Sequence, residues 1–264
     1  MIMVLGKIQM RFMLPSMKPF KTCSVKTYLM LLMILQFADF YDLCAQDMTR
    51  YEQFWITAEL RYSLNVAFEM KTKLEYRGVY DSGERWRGGN LTQEFIYFLF
   101  PTVDMIGAFR VFHTSQNDTI VRTEIRPTIG AKVDVLRKGR FVIDNHLRFE
   151  WRQFFFNYSE LNDSSARLRN KFRVTFAVNR ERPYLNKTFY LIAAFEFFMV
   201  RDEELKERFA NRHRFEAGVG YRFDDNWRLV MTYYRQYSRN QIQDSFNTKE
   251  NILQIKGIYT FLKQ

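Results

Sequence analysis

At 264 residues the chain has room for one or two domains. It combines 17% aromatic and 26% charged residues with a mean hydropathy of −0.34 and a net charge of +11. Both cysteines, Cys23 and Cys44, fall in the first 45 residues, so the rest of the chain has no disulfide framework and no thiol chemistry.

The first segment reads as an export leader. Lys18, Lys21 and Lys26 precede the apolar run Tyr28 to Phe37, and Leu43-Cys44-Ala45 ends on a small residue before Gln46. An apolar run of that length is too short to span a bilayer as a helix, which takes about 20 residues. The spacing predicts a signal peptide over residues 1–45, cleaved after Ala45, with Met17 as a more ordinary start than Met1. Cleavage would remove Lys7, Arg11, Lys18, Lys21 and Lys26 along with Asp39 and Asp42, so the net charge falls from +11 to +8. A basic excess suggests nucleic acid or an anionic surface as partner. Export disfavours nucleic acid and leaves phosphate-bearing lipid or small anionic solutes.

From Gln53 onward the pattern has period two. Phe54, Ile56, Ala58, Leu60, Tyr62 and Leu64 alternate with Gln53, Thr57, Glu59, Arg61 and Ser63. After a turn at Ser63-Leu64-Asn65, Val66, Phe68, Met70, Thr72, Leu74 and Tyr76 alternate with Glu69, Lys71, Lys73, Glu75 and Arg77. Such alternation marks an antiparallel hairpin with one apolar and one charged face. Strands then follow over 91–100 and 103–113, and over 119–135, where Arg122, Glu124 and Arg126 share a face. Pro127 there suggests a bulge or a strand end. The next strand, 141–155, sets His146, Arg148, Glu150 and Arg152 against Leu147, Phe149 and Trp151. Arg167, Arg169, Lys171 and Arg173 oppose Leu168, Phe172, Val174 and Phe176. Thr188 to Phe198 is apolar except for Glu196, Arg201 to Ala210 could hold a helical turn, and Arg212, Arg214, Glu216 and Arg222 alternate with Phe215, Ala217, Val219 and Tyr221. Trp227 to Tyr233 and Leu253 to Phe261 supply the last two strands.

Short turns at 63–65, 101–102, 137–139 and 224–226 alternate with polar loops at 78–90, 157–165, 201–210 and 238–249. That asymmetry, with the leader and the long strands, predicts an all-β fold: an antiparallel up-and-down transmembrane β-barrel of the bacterial outer membrane occupying residues 46–264. Eleven segments are visible, and an even count requires ten or twelve. Twelve is preferred, with Gln46 to Glu52 as a stub strand. Trp55, Trp151 and Trp227 suit interfacial girdles. Periodicity alone does not decide whether the apolar face points in or out.

Certain short stretches carry a resemblance. Arg61-Tyr62-Ser63-Leu64-Asn65, Glu75-Tyr76-Arg77, Arg167-Leu168-Arg169-Asn170-Lys171 and Gly220-Tyr221-Arg222-Phe223-Asp224, with a Trp near the mature start, resemble a family of Bacteroidota proteins known as domain of unknown function 2490. The resemblance runs from Gln53 to Phe261 and implies an outer-membrane barrel with no activity to transfer. The terminal Tyr259-Thr260-Phe261 resembles the aromatic ending read by barrel-assembly machinery.

Catalytic chemistry finds little support. Of three histidines, His113 ends a strand, His213 shares the apolar face with Phe215, and His146 sits on the charged face between Asp144 and Arg148. His146 as base of an outer-membrane hydrolase is one alternative, a soluble lipocalin-like binder another. No phosphate-cradling glycine loop or metal-ligand spacing is present, so no metal, cofactor or enzymatic activity is expected. The candidate site is the charged face itself, directed into a lumen: Glu59, Arg61, Glu69, Lys71, Lys73, Glu75, Arg122, Glu124, Arg126, Arg148, Glu150, Arg152, Arg167, Arg169, Lys171, Arg173, Glu196, Arg212, Arg214, Glu216 and Arg222. Such a mixture either lines a narrow channel for small anionic solutes or pairs into a closed structural or interaction barrel with a salt-bridged lumen.

Overall fold

The computed structural model describes residues 49–79, 86–116, 120–157, 159–200, 212–240 and 245–261. The expected leader and the helical turn at 201–210 lie outside the described residues. All regular structure among the described residues is β-strand. In chain order the strands are β1 (Thr49–Ser63), β2 (Phe68–Val79), β3 (Trp86–Phe100), β4 (Val103–Gln116), β5 (Ile120–Lys138) and β6 (Phe141–Phe156). They continue as β7 (Ser159–Ala177), β8 (Thr188–Val200), β9 (Arg212–Arg222), β10 (Trp227–Asn240) and β11 (Ser245–Phe261).

Each strand pairs antiparallel with its neighbour in sequence, and β1 pairs with β11 to close a barrel. Eleven is odd, so the first and last strands run the same way and the closing pair is parallel, with Phe54 opposite Leu253 and Leu60 opposite Tyr259. The preferred count of twelve is therefore corrected. Thr49 to Glu52 form no separate stub. They extend β1 and pair with Thr248 to Asn251.

Strand sides follow the alternation, and closure settles which face is inside. Ile56, Leu74, Leu91, Phe109, Ile129, Phe149, Leu191 and Met231 all point outward and are exposed, whereas Glu59, Glu94, Glu124, Asp144, Glu150, Arg152, Arg167 and Glu196 are buried inside. Aromatics crowd the outer rim next to the β1–β2, β3–β4, β5–β6, β7–β8 and β9–β10 turns, here called the turn end. Tyr62 stacks on Phe261 at 4.4 Å, Tyr259 touches both Phe261 and Trp227, and Phe68–Tyr97 and Phe141–Phe176 pairs continue the belt. Trp151 and Trp227 are outward and exposed. Trp55 departs from the girdle expectation: it shares the parity of Gln53, Thr57 and Glu59 and is buried inside.

The expected contrast between short turns and long loops takes another form. Much of 86–90, 159–165 and 245–249 is strand, so polar chain at the end opposite the turns extends the ladders. At the turn end the β7–β8 connection, 178–187, is itself long. Pro127 lies in the middle of β5 with no register shift beside it. Ladder pairing with β6 lapses between Ile125–Gln153 and Thr128–Glu150, since proline has no N–H to donate. The β5 irregularity falls at Asp134/Leu136 instead. Gly139, with φ of 52°, makes the tight β5–β6 turn possible.

Candidate functional site

One cavity of about 1080 Å³ runs through the barrel, lined at the turn end by Arg222, Arg228, Tyr190 and Tyr184 and at the opposite end by Val79, Trp86, Gln116 and Phe156. Its wall carries nineteen Lys and Arg side chains against nine Asp and Glu. The interior is assembled by parity: every second residue of each strand faces in, so charges from neighbouring strands meet side by side at cross-strand spacing.

The expected lumen residues distribute as follows. Glu59 and Arg61 of β1, Lys71, Lys73 and Glu75 of β2, Arg122, Glu124 and Arg126 of β5, and Arg148 and Arg152 of β6 line the cavity. So do Arg167, Arg169, Lys171 and Arg173 of β7, Glu196 of β8, and Arg214, Glu216 and Arg222 of β9. Glu69 reaches Lys71 at 3.3 Å, and Glu150 is buried behind the arginines it binds. The side chain of Arg212 lies outside the described residues.

The basic row on β7 has no acid between Arg167 and Arg173 and finds its partners on β6, β8 and β9. Arg167 Nε donates to Glu150 Oε2 at 2.9 Å, Arg169 donates to Glu150 and Glu196 at 2.6 Å each, Lys171 pairs with Glu216, and Arg173 with Asp144 at 3.1 Å. The network continues in both directions. Arg126 and Arg152 converge on Glu124 at 2.7 Å, and Arg126 reaches Glu150 at 3.5 Å. On the other side Arg214 bridges Glu196 at 3.5 Å to Gln236 at 2.8 Å, which donates to Glu250 at 2.6 Å. Gln53 then donates to Glu250 at 3.1 Å across the β1–β11 seam.

Inward aromatics lie against these arginines at the same level. Arg77 lies 3.9 Å over Trp55, Arg169 4.7 Å over Phe198, and Arg152 4.6 Å over Phe154. Such stacking holds guanidinium planes in place while their edges bond carboxylates. Nearer the turns, Glu59 takes Arg61 at 2.5 Å, and Glu94 receives Lys73 at 3.1 Å and Lys71 at 3.6 Å. His146 Nε2 lies 2.8 Å from Asp144, with Arg148 and Arg173 as its other contacts. His113, on the outer face, meets Thr123 at 3.0 Å, and the His213 ring lies 6.1 Å from Phe195.

Further lumen residues emerge that the strand-by-strand reading does not assign: Glu94, Arg110, Gln236, Glu250, Gln254 and Lys256, with Arg228 at the turn end. Parity counted back from an assigned neighbour would have found them, since Arg110 pairs with Arg126, and Lys256 with Thr57. Among the described residues Arg110, Arg148, Arg228 and Lys256 face the cavity with no carboxylate within 4 Å. Arg110 donates only to Thr92, at 2.9 Å, and the buried Nε atoms of Arg148 and Arg228 have no hydrogen-bond partner. The unpaired positive charge of the lumen thus includes these four, all away from the β7 row.

An apolar exterior, a polar cavity and a ladder without free edges define a closed, mostly antiparallel β-barrel. The chain belongs to the family described as protein of unknown function (DUF2490), which it matches over residues 52–247. No curated protein matches it.

Proposed function

We propose that the protein is an outer-membrane β-barrel, exported by a cleaved leader over residues 1–45, whose narrow wet lumen favours small anions. The apolar outer face with its aromatic rim is what lipid demands of a barrel exterior. The observation that carries the anion reading is a single cavity lined from both ends, with nineteen basic side chains against nine acidic ones. The cavity is of a size for small ions and not for large solutes. Confinement by low-dielectric walls focuses the field of the unneutralised cations along the path.

Planar-bilayer conductance of the refolded protein tests this. The expected result is a small conductance whose reversal potential in a salt gradient follows the anion, with Lys256→Glu and Arg110→Glu reducing or inverting the preference. A sealed barrel would instead support the second reading, a structural barrel plugged by its own salt bridges. The Glu124-to-Glu250 network favours that alternative. In either reading Tyr259 and Phe261, both outward at the turn end, are the residues offered to barrel-assembly machinery.

A further inference from the structure

The turn end of the lumen gathers cations for which the fold supplies too few acids. Arg222 and Arg228 stand directly opposite each other on β9 and β10. Two strands away, Arg61 pairs with Thr260, whose hydroxyl accepts from Arg228 Nη2 at 3.0 Å. Like charges directly opposite one another destabilise a sheet, so this arrangement needs a counter-charge. Glu59 is engaged by Arg61 at 2.5 Å, and Asp144 by Arg173 and His146. Asp225 meets Arg222 at only 3.3 Å from a turn where its side chain is 57% exposed. Asn186 Oδ1 accepts from Arg222 Nε, also at 3.3 Å. Arg228 has no carboxylate, and its buried Nε has no partner.

A tyrosine hydroxyl completes the set. Tyr190 packs with Val230 and Ile258, and its ring occupies the space of the missing side chain of Gly220, where a Cβ would lie 2.2 Å from the ring. That contact fixes the ring with its hydroxyl facing the cavity, in the field of Arg228, Arg61, Arg173 and Arg222. Arg222, Arg228 and Tyr190 line the same end of the cavity, and guanidinium forks beside a hydroxyl donor match a group with several acceptor oxygens better than a halide.

We propose that Arg222, Arg228 and the Tyr190 hydroxyl form an oxyanion-binding site at the turn end of the lumen, taking the phosphate or carboxylate group of a small solute. The site rests on the lumen being wet at this end, as the anion-path reading requires, and not on passage through the barrel.

Calorimetric titration of the refolded protein in detergent with inorganic phosphate, against chloride at matched ionic strength, provides the test. Saturable phosphate binding is expected, displaced by acetate if carboxylates share the site. Arg228→Gln should weaken it at least tenfold. Tyr190→Phe, which keeps the ring on Gly220, should weaken it several-fold and so serves if Arg228→Gln does not fold. Equal heats from phosphate and chloride, or wild-type affinity in Tyr190→Phe together with any folded Arg228→Gln, would overturn the site. Phosphate binding without bilayer conductance would sink the anion path and leave the site standing. Conductance without phosphate binding would do the reverse.

Discussion

Glu150 shows how a single carboxylate organises charge from the strands on both sides of it. It accepts from Arg167 at 2.9 Å and from Arg169 at 2.6 Å and lies 3.5 Å from Arg126, while only 2% exposed. Taking one partner from a buried ion pair costs more than the pair contributes, because the remaining charge stays desolvated without compensation. Glu150→Gln would leave three guanidinium groups facing one another, and a loss of about 3 kcal/mol is expected. Arg169→Gln should be milder, since Glu150 keeps Arg126 and Arg167 and Glu196 keeps Arg214. Urea unfolding in detergent, followed by the heat-dependent shift in gel mobility, ranks the two. The opposite order would mean that the arginines are held by water and not by this carboxylate. Sequence alone sets Arg167, Arg169 and Arg173 on one polar face because a strand's own residues are visible along the chain. Their acids, Glu150, Asp144 and Glu196, sit on other strands and become neighbours only through register.

Along a strand the same alternation has two regimes, and β10 contains both. Its outward residues run Trp227, Leu229, Met231 and Tyr233, all exposed, and then Arg235. The first four form an apolar stripe from the aromatic rim upward, and Arg235 marks where the outer face turns polar. If lipid surrounds the stripe, Met231→Arg buries a charge in hydrocarbon and should cost about 2–4 kcal/mol near the midplane, falling toward the rims. Arg235→Met should be near neutral. Equal, small effects from both substitutions, measured by reversible unfolding into lipid vesicles, would place water around Met231 and overturn the membrane reading. These two regimes explain which strands were legible. Within the apolar band, in-and-out contrast marks most strands, β8 excepted, where Glu196 is the one charge in an apolar run. Beyond it both faces are polar, contrast vanishes, and 159–165 and 245–249 read as loops although hydrogen-bonded ladders continue through them. Pro127 misled for a related reason: a strand paired on both sides can lose two rungs and keep its register.

At the scale of the whole barrel, the strand count decides topology. With an even number of antiparallel strands, the first and last run in opposite directions and the barrel's two chain ends emerge on one side. With eleven, β1 and β11 are parallel, and Thr49 and Phe261 stand at opposite ends. Parallel pairs bond slightly less well per residue than antiparallel ones. Here the seam is reinforced inside by Gln53 donating to Glu250 at 3.1 Å and Gln254 donating to Thr57 at 2.8 Å, and by Trp55 packed with Tyr234 and Ile252. No period in the sequence encodes this closure, which depends on a pairing between residues about 200 positions apart. The chain beyond residue 45 has no cysteine, so single labels are clean. Glu52→Cys and a cysteine appended after Gln264 should react with a membrane-impermeant maleimide from opposite faces of an oriented outer membrane. Asp224→Cys, in the exposed β9–β10 turn, should label with the appended one. Labelling of Glu52→Cys and the appended cysteine from the same face would require a twelfth strand and an antiparallel seam, and the parallel contacts of Gln53 and Gln254 would then have to be abandoned.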